Sequence, residues 1–218
     1  MHGRAAILYL SKCSQLVTDY VEIPPSVLEK NKHVNLSIDI MYVNRIPFVT
    51  TFSRNIKFTT VKAIQNRTKA QLVQSIKNVL PIYTQRGLQV DNALLDGEFV
   101  PLCTDLLTLG INTNFATRNK HVPEIERQHR VIKERARACR HSLPFKVLPR
   151  LMLVKMVKNC ALWLNMFPPK GGIGSMSPRT LITGIKLDYK KHCQLPFGSY
   201  VQVHEEPTPT NSPVARTI

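Results

Sequence analysis

Three acidic residues, Asp39, Asp96 and Glu126, punctuate a chain whose charge otherwise runs the other way. Asp39 lies inside the alternating run Asn35-Leu36-Ser37-Ile38-Asp39-Ile40-Met41-Tyr42-Val43, and Asp96 closes the apolar run Ala93-Leu94-Leu95 ahead of Gly97-Glu98-Phe99. Glu126 falls in the first turn of a strongly basic segment. Cleaving or transferring a phosphodiester needs an activated oxygen nucleophile and neutralisation of charge on the attacked phosphate. Two magnesium or manganese ions about 4 Å apart supply both in an in-line displacement, and hard oxygen ligands hold them. Two Asp and one Glu suffice, because water and substrate phosphate fill the remaining positions, and no Ser, Tyr or Cys nucleophile is required. Taken singly, Asp39 reads as an exposed strand-face residue and Asp96 as a turn residue before Gly97. Taken together with a third acid they point to metal-dependent chemistry on a polyanion.

The elements around them must bring distant acids together. Leu36, Ile38, Ile40 and Tyr42 alternate with Ser37, Asp39 and Met41, which predicts a half-buried strand with Asp39 on the face opposite the apolar set. Asn44-Arg45 reads as a tight turn, followed by strands over residues 46–53 and 55–61. From Thr68 the period lengthens: Leu72, Val73, Ile76, Val79, Leu80 and Tyr83 share one helical face, with Pro81 splitting the helix near its end and Gly87 stopping it. Residues 88–95 form a fourth strand that delivers Asp96. A short helix through Leu102, Leu106 and Leu107 precedes a fifth strand over 111–117. Pro123 opens a basic helix to about Cys139, and an apolar helix spans 151–165. Gly171-Gly172-Ile173-Gly174 lacks the strand and Lys of a phosphate loop and reads as a flexible joint. A short helical turn after Ser177-Pro178 ends at Gly184, and residues 197–204 are expected to form a strand. This order is that of a ribonuclease H-like α/β fold, a mixed five-stranded sheet flanked by helices. Its expected organisation is a lead-in over 1–33, a catalytic core over 34–167, an extension over 168–206 and a disordered tail over 207–218.

In the basic helix, Ile125, His129, Ile132, Ala136 and Cys139 form the expected buried stripe, so His129 reads as a core histidine. Glu126 shares a face with Arg130, Lys133 and Arg137, and Arg127 adjoins it. That face places one carboxylate near the metals and then a row of cations along neighbouring phosphates. Glu124 is the competing third ligand; it lies about 200° round the helix from Glu126, so only one of them can point at the site. Glu98 follows Asp96 closely and suits a supporting or capping role. Asp91 sits within the fourth strand without a glycine turn, Asp105 and Asp188 read as surface residues, and His121 is placed to approach a phosphate or bond its own loop.

Composition agrees with a polyanionic partner. Lys and Arg number 30 against 14 Asp and Glu in 218 residues, a formal charge of +16, which favours nucleic acid through phosphate neutralisation. Hydrophobic residues make up 43% of the chain, enough for a packed core. Cys13, Cys103, Cys139, Cys160 and Cys193 are scattered, without a C-x-x-C pair, so neither a structural zinc site nor a disulfide framework is expected. The apolar opening is short and interrupted by Lys12 and Asp19, so no membrane span is expected, and the protein is expected in the nucleus or cytoplasm.

Ile38-Asp39-Ile40, Leu95-Asp96-Gly97-Glu98-Phe99 and Val122-Pro123-Glu124-Ile125-Glu126-Arg127 together resemble the integrase catalytic core of copia-type long-terminal-repeat retrotransposons, within the retroviral integrase superfamily. Ser177-Pro178-Arg179-Thr180-Leu181-Ile182-Thr183-Gly184 looks like the segment that follows such cores, and the likeness spans about residues 34–204. The resemblance implies a polynucleotidyl transferase that integrates element DNA into target DNA. Asp39, Asp96 and Glu126 would hold two Mg2+ or Mn2+ ions, the partners would be DNA ends and target DNA, and the active form would be a homo-multimer. It also implies that this chain is a fragment of a polyprotein. A nuclease of the same fold and a catalytically silent DNA-binding remnant are the competing readings.

Overall fold

The alternating run around Asp39 builds the centre of the molecule. In a computed structural model, which describes residues 21–116 and 122–201, strand β1 (His33–Val43) turns back through Asn44 and Arg45 into β2 (Ile46–Ser53). Both turn residues have positive φ, 47° and 63°, as a two-residue hairpin matched to the strand twist requires. The turn fixes the register: Val43 pairs with Ile46, and counting back, Asp39 lies opposite Thr50. Strand β3 (Thr59–Ala63) adds antiparallel to β2, while β4 (Gln89–Leu95) and β5 (Asn112–Phe115) add parallel to β1, giving the order β3-β2-β1-β4-β5.

One face of this sheet buries Leu36, Ile38, Ile40, Val49, Ala93 and Leu95. It is covered by α1 (Pro25–Lys30), α2 (Lys69–Lys77), α3 (Leu80–Thr84), a 3-10 turn (Gly97–Leu102) and α4 (Cys103–Thr108). The helix expected from Thr68 divides after Asn78, and Pro81 takes the first turn of the second piece, where its missing N–H costs nothing. The other face buries Met41, Ile46 and Phe48 against α5 (Pro123–Ser142) and α6 (Arg150–Met166). The segment with α7 (Pro178–Thr183) returns to the first face, where Leu181 and Ile182 join the core; α8 (Tyr189–His192) follows. A buried amide fastens α6 to the sheet edge: Asn165 accepts from Thr59 N–H at 2.8 Å and donates to Thr59 C=O at 2.7 Å.

Three expectations need correction. At the hairpin end of β1 the burial is the reverse of the expected alternation, with Met41 covered and Tyr42 exposed, because α5 and α6 lie over the hairpin while Tyr42 runs past the first core; its ring instead lies 6.0 Å from the Arg67 guanidinium. The third strand starts at Thr59, not at 55: Arg54, Asn55 and Ile56 form a turn closed by Lys57 at φ 62° and by Lys57 N–H donating to Ser53 C=O. Residues 197–201 are not a strand, since Gly198 at φ 89° and Ser199 N–H donating to Pro196 C=O make a turn there. Residues 1–20, Thr117, His121, residues 202–204 and the tail from Pro207 lie outside the described residues.

Candidate active site and nucleic-acid interface

Strand register brings the two aspartates side by side. Ile38 of β1 pairs in parallel with Leu95 of β4, so Asp39 and Asp96 are each the next residue along neighbouring strands, on the face opposite Ile38 and Leu95. Adjacent strands run about 4.8 Å apart. The same face carries α5, whose first turn holds Glu124 and Glu126, a position where the helix N-terminus favours negative charge.

Asp39 feels this convergence. Burial, partly offset by the Ile40 N–H that donates to its Oδ1 at 2.7 Å, and the negative charges of Asp96, Glu98 and Glu126 together push its pKa up to about 6. Its Oδ2 lies 3.7 Å from Nδ1 of His129. His129 is buried, and that burial, with the Lys133 charge added, pulls its pKa down to about 4. No pH charges both groups at once, so the contact is between a carboxylate and a neutral imidazole above pH 6 and is not an ion pair. His129 Nε2 and the Thr50 hydroxyl, the latter across the strand from Asp39, are both buried with no hydrogen-bond partner among the described residues.

Asp96 caps the 3-10 turn, accepting from Gly97 N–H at 2.6 Å through Oδ1. Glu98 is engaged by Arg67 at 2.6 Å. Glu124 accepts from Arg54 Nε at 3.0 Å, which points it at the β2–β3 turn, while Glu126 is exposed and is the member of the pair whose charge reaches Asp39. Asp91 pairs with His33, Asp105 with Lys69, and Asp188 bonds the Lys190 N–H, away from this cluster. The gathered donors are hard carboxylate oxygens, the chemistry that magnesium and manganese prefer. Among the described residues they are not closed into a cage: no three His, Cys, Asp or Glu side chains stand together ready to hold an ion.

Beyond the acids, α5 presents cations. Arg127, Arg130 and Arg137 are exposed and Lys133 half-buried. Lys133 and Arg137, with Arg140, His141, Tyr42 and Asn44, line a groove of about 290 Å³ between α5 and the β1–β2 hairpin. Thr50 and Arg54 were not singled out from the sequence. Thr50 follows from the hairpin turn, which alone sets it opposite Asp39; the Arg54–Glu124 pairing, 70 residues apart, carries no local signal.

A mixed five-stranded sheet with this strand order, flanked by helices, is the ribonuclease H-like fold of integrase cores. Among solved structures the chain is similar to the catalytic core domain of BIV integrase, with a TM-score of 0.52 and 18% identity over 68% of this chain and 92% of that one. No protein family profile matches the chain, and no curated protein matches it. Among the described residues no helix is long and apolar enough to cross a membrane.

Proposed function

We propose that the protein is a metal-dependent polynucleotidyl transferase that joins a DNA 3′ end to target DNA, as the catalytic core of a retroelement integrase. The observation that carries this reading is the parallel pairing of Ile38 with Leu95, which sets Asp39 and Asp96 on neighbouring strands at one end of the sheet; the charges of Asp96, Glu98 and Glu126 all act on the half-buried Asp39, an arrangement that a bound divalent cation relieves. Asp39, Asp96 and Glu126 are the proposed ligands. Magnesium or manganese, two ions in the complete site, would supply charge neutralisation at the attacked phosphate and lower the pKa of the attacking hydroxyl. Within the chain, Ile40 N–H holds the Asp39 carboxylate, and the Gly97 N–H fixes Asp96. Arg127, Arg130, Lys133 and Arg137 hold backbone phosphates on either side of the reacting one. Work as a multimer that binds two DNA ends, and origin within a larger retrotransposon polyprotein, belong to the same proposal.

The test is strand transfer from a 3′-hydroxyl duplex end into plasmid DNA with magnesium or manganese. Asp39→Asn, Asp96→Asn and Glu126→Gln are each expected to lower the rate at least about a hundredfold, and Glu124→Gln to lower it less than about fivefold. Wild-type rates in the two aspartate variants would overturn the metal assignment. Nicking without joined product would identify a nuclease instead.

A further inference from the structure

The acid cluster opens onto a second feature of the same sheet face. Counting back from Asp39 and Asp96, the outward residues form two more rows: Ser37, Leu94 and Asn114, then Asn35, Asn92 and Asn112. Ser37 is buried and Leu94 packs against Val122 and Ile125 at the start of α5, whereas Asn35, Asn92 and Asn114 are exposed. With Ser37, Leu94 and Arg54 they line a groove of about 270 Å³. Successive rows are about 6.6 Å apart along a strand, so the groove begins one row from the proposed reacting phosphate, a step comparable with the spacing of nucleotides along a strand.

Its chemistry differs from that of the α5 track. Among the described residues its wall carries one cation, Arg54, already bonded to Glu124, so the groove is poorly equipped to hold another phosphate. It offers neutral amides. Asn92 donates to the Asn35 carbonyl at 2.8 Å, which leaves an Asn35 N–H donor beside an Asn92 carbonyl acceptor. The Asn114 amide makes no side-chain hydrogen bond among the described residues. A fixed donor next to an acceptor is the arrangement with which side-chain amides read a base edge, adenine above all.

We propose that this asparagine-lined groove binds the nucleobase adjacent to the attacked phosphate and sets base preference at that one position. The proposal rests on the transferase reading for the identity of its ligand, and its test is a binding measurement that requires no turnover. The full chain is mixed with duplexes randomised over their last three base pairs in the presence of magnesium, and the bound fraction is sequenced. One position is expected to be enriched about tenfold for a single base. Asn35→Ala, Asn92→Ala and Asn114→Ala, all at exposed positions, are each expected to reduce that enrichment below about twofold and to leave preferences at the other two positions unchanged. A bound fraction with no base preference, or one unchanged by all three substitutions, would overturn the proposal. So would a groove that seats a second copy of the chain, seen as variants with altered sedimentation and unaltered base counts. Strand transfer on the same duplexes separates the two ideas: base preference without product removes the transferase reading and keeps the groove, and product without base preference does the reverse.

Discussion

Asp39 carries a charge that the fold itself opposes. Its pKa of about 6 against an ordinary 3.8 means that the folded state binds this proton more tightly than the unfolded state does. The stability it lends is therefore present below pH 4 and is lost as pH rises from about 4 to 6. His129 works with the opposite slope. Held near 4 against an ordinary 6.5, it costs stability as pH falls from about 6.5 to 4, because the unfolded chain takes up its proton first. In the metal-free protein the two contributions offset each other between pH 4 and 6. Asp39→Asn is expected to raise stability at pH 7 by about 1–3 kcal/mol, measured by urea unfolding, and to leave a midpoint that rises with pH. His129→Gln should leave one that falls. An Asp39→Asn protein no more stable than wild type at pH 7 would show that the carboxylate is not under this strain. A gain in stability joined to loss of strand transfer is the signature of a residue kept for function.

Elements decide which of these residues can meet, and their contacts are uneven in how far sequence reveals them. The Asn165 amide pairs with both backbone groups of Thr59, and both residues are buried. It completes the exposed edge of β3 as another strand would. Asn165→Leu keeps the branched shape but strands a buried N–H and C=O, at a cost of about 2–4 kcal/mol. A thermal midpoint unchanged by Asn165→Leu would mean that water replaces the amide there. Nothing near Asn165 in the sequence announces this contact, since its partner lies 106 residues away. The hairpin, by contrast, is local: alternation fixes the faces of β1, Asn44-Arg45 fixes the turn, and Thr50 follows. The buried stripe of α5 was legible for the same reason, because Ile125, His129, Ile132 and Ala136 repeat at helical spacing. The third strand starts later than its sequence suggests because Ile56 and Phe58 look like strand residues, whereas the left-handed Lys57 turns the chain. The amide rows of the groove needed the parallel register of β1, β4 and β5, including a shift between Val34 and Asn35, which no local pattern encodes.

At the scale of the whole molecule the formal charge of +16 favours a polyanionic partner but does not say which face would meet it. Binding through phosphate neutralisation makes the logarithm of affinity fall with the logarithm of salt, with a slope of about −0.9 for each phosphate engaged. If α5 is the track, Arg127, Arg130, Lys133 and Arg137 each release about one counterion's worth of that slope. Replacing all four by Ala should make the slope shallower by about 3–4, read by fluorescence anisotropy on a duplex end between 50 and 300 mM salt. Arg140 is left out of this set because its guanidinium is bonded to the Phe145 and Lys146 carbonyls and its loss would disturb the turn after α5. The control removes equal charge elsewhere: Lys155, Lys158, Lys186 and Lys190 are exposed and lie on α6, the loop after α7 and α8. Changing those four to Ala should lower affinity only modestly and move the slope by less than about 1. Equal slopes in the two quadruple variants would mean that the molecule binds DNA as a diffuse cation, without the α5 track that the transferase reading requires.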